Sequence, residues 1–129
     1  MPTFFDSTAD AAEASEALRG LAHASRAFDQ PAQMYGVIGD LSLGMRSLRQ
    51  VLDQIADVHE RKAAHAFNDA GNHEAGVRDA LAAAEELRQA ANLGRTIERC
   101  RGDVRRRLLA VIISQIGAKP VVELVAATD

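Results

Sequence analysis

The chain has no tryptophan, one tyrosine, one cysteine and two lysines among 129 residues. Each scarcity excludes something. A single cysteine, Cys100, cannot close an internal disulfide, so the fold is not of the stapled kind common in small secreted domains. No run reaches the ~20 apolar residues needed to span a bilayer. The opening stretch MPTFFDSTADAAEASE turns acidic at once and lacks a basic region followed by an apolar one, so it does not read as a signal peptide. A cytoplasmic location is the expectation. With so few aromatics, a core must come from Leu, Ile, Val, Met and close alanine contacts. At this length the chain fits a single domain, residues 1–129, with a modest core.

Apolar periodicity predicts three helices. In the first, over about residues 7–29, Asp6 and Ser7 are good caps, and acidic residues crowd the opening turns where the helix dipole favours them. Its inward positions would be Ala11, Ala14, Leu18, Leu21, Ser25 and Phe28. Pro31 marks its end or the start of the next helix. The second, over about 32–68, carries the cleanest pattern: Met34, Ile38, Leu41, Met45, Leu48, Leu52 and Ile55 alternate steps of four and three, and His59 takes the next place. Val37, Gly44, Val51 and Val58 recur every seven residues beside that seam and widen it. The turn formers Asn68, Asp69, Gly71 and Asn72 then break the chain.

The third helix, over about 73–116, begins on Val77, Ala80, Leu81, Ala84, Leu87 and Ala91. Its register slips near Asn92–Gly94 and continues on Leu93, Ile97, Cys100, Val104, Leu108 and Val111, which predicts a bend or a change of twist at Gly94. A short turn between two long helices makes them antiparallel neighbours. The expected fold is therefore all-α: an elongated antiparallel helical hairpin with a shorter N-terminal helix packed on it, a coiled-coil-like three-helix bundle. That first helix is too short to cover the whole groove, so apolar surface on the other two is left for a partner. The tail, residues 117–129, shows no pattern long enough to place it.

Charge is unevenly spread. Residues 1–94 sum to −6, whereas residues 95–107 sum to +4. The second group holds Arg95, Arg99, Arg101, Arg105, Arg106 and Arg107, an array able to neutralise phosphates or meet an acidic protein partner. On a helix Arg95, Arg99 and Arg106 share one face and Arg101 and Arg105 another, leaving the seam of Ile97, Cys100, Val104 and Leu108 dry. Against nucleic acid stand the acidic body, the lack of stacking aromatics and the absence of a pair of short helices of the helix-turn-helix kind. Arg101-Gly102-Asp103, a tripeptide read by adhesion receptors in loops, falls mid-helix here. Cys100, on the apolar face, is expected to be buried and inert.

No catalytic constellation is visible. HERKAAH, His59 to His65, sets its histidines six apart, whereas a zinc helix needs them four apart on one face. Convergence of His65, Asp69 and His73 on a metal would need the turn to draw two segments together. The glycines Gly36, Gly39 and Gly44 fit no phosphate-binding fingerprint. No enzyme activity, cofactor or metal is expected. The wide block Leu108–Ile113 reads as core or interface, and with the heptad positions it defines a candidate oligomer surface: Met34, Ile38, Leu41, Met45, Leu108, Leu109 and Ile112.

A hairpin of this length invites comparison with WXG-type secreted hairpins, but the tryptophan turn that defines them is missing. The stretch GLAHASRAFDQPAQMYGVIGDLSLGMRSLRQVLDQIADVH, residues 20–59, resembles small uncharacterised helical proteins of actinobacterial mobile elements. That resemblance implies a setting, an accessory role in plasmid transfer or maintenance, and no mechanism. Two functions follow from the residues. The first is a non-enzymatic protein–protein interaction module, a homo-oligomer using the uncovered seam. The alternative is a nucleic-acid-associated accessory protein holding phosphates through Arg95–Arg107.

Overall fold

The computed structural model describes residues 1–117. Three helices account for most of them: α1 at Ser7–Ala24, α2 at Pro31–Lys62 and α3 at His73–Gly117, with 3-10 turns at Ser25–Ala27 and Ala63–His65. The expectation for the tail past Gly117 lies outside the described residues. Among the described residues no helix is long and apolar enough to cross a membrane.

The start of α1 is tied by its acids. Asp6 caps it, its Oδ1 accepting from the N–H groups of Thr8 and Ala9 at 3.1 and 3.0 Å. Asp10 reaches back one turn and accepts from the N–H groups of Thr3 and Phe4 at 2.6 and 3.1 Å. The bond from Thr3 is the main reason its carboxyl sits below the ordinary value. A depressed carboxyl contributes order above its unfolded pKa and loses it as pH falls through the folded one. Acidification should therefore free the Thr3 and Phe4 amides before α1 itself melts. Amide exchange followed by NMR down a pH series would register this as loss of protection confined to those two residues.

The hairpin of α2 and α3 is antiparallel: Tyr35 meets Arg105, Arg49 meets Glu98 and Asp57 meets Arg88, so numbers fall on one helix as they rise on the other. Its turn is closed by asparagines. The Asn68 Oδ1 accepts from the N–H groups of Ala70 and Asn72, and the Asn72 Oδ1 caps α3 at Ala75. Gly71 takes φ +77°, open to glycine at little cost. α2 itself stops at Lys62, short of residue 68, where a 3-10 turn at Ala63–His65 and an extended Ala66 lead out of the helix, and these side-chain bonds compete with helical ones across the turn. Gly76 then lies flat against the Phe67 backbone, where a Cβ would stand only 2.5 Å from the Phe67 carbonyl carbon.

The seam between α2 and α3 is built from small residues. Ala56, Ala63, Ala84 and Ala91 are its fully buried apolar members, joined by Ser42, whose hydroxyl donates to the Ile38 carbonyl at 2.7 Å, and by Gly94. No large side chain is fully buried among the described residues. On α2 the contact line runs through Tyr35, Ile38, Ser42, Met45, Arg49, Leu52, Ala56, His59 and Ala63, all buried or half-buried. Ile38, Met45, Leu52 and His59 are therefore where the heptad pattern puts them. Leu41, Leu48 and Ile55 are not; they are 39–45% exposed, one helical step to the side.

On α3 no register slip occurs. The contact line continues at steps of three and four from Val77 through Ala80, Ala84, Leu87, Ala91, Gly94, Glu98, Arg101, Arg105 and Leu108 to Ile112, all of them buried or half-buried. Gly94 does not mark a break in the helix. It faces α2, with room for a Cβ 3.7 Å from the Arg49 Cβ and 3.9 Å from the Met45 Cε.

α1 is present at the expected place but stands apart. Among the described residues its backbone approaches the 3-10 turn that follows it and no part of α2 or α3. None of its residues is buried, and Leu18 is exposed. An apolar stripe of alanines with Leu18 and Leu21 offers little area to offset the ordering of the linker, residues 28–30.

Candidate functional site

The two sides of the hairpin differ in kind. At about 100° per residue, a residue lying clockwise of the seam on α2 shares a side with one lying clockwise on α3, because the helices run oppositely. One side is ionic. There Arg88 of α3 reaches Asp57 at 2.7 Å, Glu60 at 3.0 Å and Asp53 at 3.8 Å on α2, and Glu60 before Asp57 raises the affinity of the guanidinium for its proton.

The opposite side is apolar. Leu41, Leu48 and Ile55 of α2 turn toward it, and so do Ile97, Val104 and Val111 of α3, each about 40–50% exposed. Val51 and Val58 widen the stripe on α2, and Leu93 does so on α3, where it is 66% exposed. The heptad seam expected for α2 is thus real as a pattern. α3 covers one edge of it, and the other edge faces outward. Cys100, expected to be buried, lies on this outward strip of α3 and is exposed, because the register of α3 does not slip.

The candidate oligomer residues divide accordingly. Leu41 is on the open side and Met34 is half-buried beside it; Ile38, Met45, Leu108 and Ile112 are half-buried in the seam. Leu109 is 44% exposed on the ionic side. Sequence periodicity overlooked Ile97, Val104 and Leu93 as surface because it assigned them to the seam.

The six arginines do not form one surface, and the seam they were expected to leave dry holds two of them. Arg101 and Arg105 point into it. Arg105 donates to the Tyr35 hydroxyl at 2.7 Å, its guanidinium 4.8 Å from the ring centre. Arg49, across from them, donates to Glu98 at 3.2 Å in a pair of side chains 26% and 19% exposed. Three seam atoms, the Glu98 Oε1 and the Nε of Arg101 and Arg105, are buried with no hydrogen bond among the described residues; the Glu98 Oε1 is within ion-pair range of Arg49 only. Arg95 donates to Asn92, and Arg106 pairs with Asp103 one turn away. Arg99 and Arg107 remain exposed on the outer surface of α3, each in a shallow depression.

Two of the four histidines have local partners. His73 meets the Ala66 carbonyl at 3.0 Å and packs its ring 5.0 Å from that of Phe67, and His59 meets the Ile55 carbonyl. Among the described residues no three metal-ligating side chains converge. No protein-family model, curated protein or solved structure matches the chain.

Proposed function

We propose that this chain is a non-enzymatic helical interaction module: a two-helix hairpin whose open apolar side takes helices from another protein chain and completes a bundle with them. The observation that carries the reading is the set of half-exposed Leu, Ile and Val side chains in register on one side, while the seam itself buries little but alanine. Helices gain most of their stability from packing an apolar face, and among the described residues half of this one has nothing against it. The phosphate-binding alternative draws less support, since Arg101, Arg105, Arg95 and Arg106 are already engaged or turned inward. The mobile-element setting belongs to the same proposal and rests on residues 20–59 alone; a cytoplasmic location is part of it too.

The test is the pair of variants Leu48→Glu and Ile97→Glu, studied at high dilution. On a docking surface they should leave the helical signal in place and abolish binding of an apolar dye to the hairpin. Loss of several kcal/mol in the dilute monomer, the cost of disrupting a core, would mean that the chain covers this side itself, and the reading would fail.

A further inference from the structure

Resting on that reading, we infer that the occupant of the open side is a second copy of this chain, laid antiparallel so that the two turns lie at opposite ends of a four-helix bundle. The side is complementary to itself only in that direction.

Size is the first reason. On the line of α3 that points straight out of the open side, the half nearer the turn carries Ala83 and Ala90 and the far half carries Ile97 and Val104. Reversing the second copy sets Ile97 over Ala90 and Val104 over Ala83, large against small on both sides of the two-fold axis. On the margin of the α2 stripe the same axis sets Gly44 opposite Val58 of the second copy and Val51 opposite its own counterpart, while Leu48 meets Ile55 on the line between.

Charge is the second. Along the outer margin of that stripe on α3 stand Asp79 and Glu86 toward the turn and Arg107 toward the open end. The reversed copy brings Arg107 level with Asp79 on that margin. A copy laid in the same direction would set the two arginine-rich ends side by side and the two acidic ends likewise, at a cost in repulsion. The opposite charge of the two parts of the chain, −6 up to residue 94 and +4 over the next thirteen residues, becomes a register code.

Area is the third. The nine half-exposed Leu, Ile and Val side chains of this side amount to several hundred Å² per copy, the order of the ~800 Å² per partner of a stable interface. Leu93, the most exposed of them, falls where the two-fold axis crosses α3.

Two measurements on the full chain test this. Leu93→Cys in a Cys100→Ser background should yield a covalent dimer with a thiol oxidant, since the two sulfurs face each other across the axis. Separately, sedimentation equilibrium between about 1 and 100 µM should show a dimer that Asp79→Arg or Arg107→Asp each weakens by ~10-fold or more, and that the two together restore. Rescue by the double swap cannot arise from damage to the fold. A monomer at every concentration would overturn the inference, yet would leave the interaction reading standing if the dilute Glu variants keep their helices and lose the dye. A dimer with neither the Leu93→Cys cross-link nor charge rescue would overturn it as well.

Discussion

Gly76→Ala should destabilise the hairpin by about 1–3 kcal/mol, the usual cost of forcing extra volume into a packed site. The added methyl would meet the Phe67 carbonyl carbon and Cα at 2.5 Å and its nitrogen at 2.6 Å. All three are backbone atoms, so no rotamer change relieves the overlap; the turn must move. That movement would also disturb the Asn72 cap and the seat of His73 on the Ala66 carbonyl. Gly94→Ala is the internal control. There the methyl would arrive at ordinary van der Waals distance from Arg49 and Met45, and alanine is the better helix former by roughly 0.5–1 kcal/mol, so a gain is expected. Urea titrations of the two variants should shift in opposite directions. Equal losses in both would mean that helix packing along the seam, and not the turn, limits tolerance of added volume.

The second large effect concerns Arg49 and Glu98. Glu98→Ala leaves a guanidinium in a half-covered seam beside Arg101 and Arg105 with its counter-charge gone, an expected loss of about 1–3 kcal/mol. Arg49→Leu together with Glu98→Leu removes both charges and fills the space with hydrocarbon, so the hairpin should regain wild-type stability or exceed it by up to ~2 kcal/mol. The contrast matters because the pair sits at positions where a heptad pattern would place apolar residues. A thermal melt in which the double variant falls as far as the single one would show the pair to be structurally irreplaceable.

The helices and the hairpin were legible in the sequence, because caps, turn formers and apolar periodicity all act over a few residues. The line of contact was not. Periodicity weights large side chains, and so drew the seam of α2 through Leu41, Leu48 and Ile55. Backbones approach most closely where side chains are smallest, and Ala56, Ala63, Ala84, Ala91 and Gly94 fix the contact instead. The apparent slip at Asn92–Gly94 has the same origin: past Gly94, Ile97, Val104 and Val111 lie beside the contact line, and Glu98, Arg101 and Arg105 stay on it. Of the proposed interface, Leu41 could be named in advance, whereas Ile97, Val104 and Leu93 required knowing that α3 keeps its phase. The place of α1 depends on how much area its few leucines can bury, which no local pattern records.

The order in which the hairpin assembles follows from where its partners sit along the chain. Phe67 and Gly76 are close in sequence, Asp57 and Arg88 further apart, Arg49 and Glu98 further still, and Tyr35 and Arg105 are separated by 70 residues. Once the asparagine turn is closed, each next rung adds only a short segment, and the entropy of loop closure is met in small steps. On this ground the hairpin is expected to zip from the turn outward. The Tyr35–Arg105 contact is then the last latch to close and the first to open.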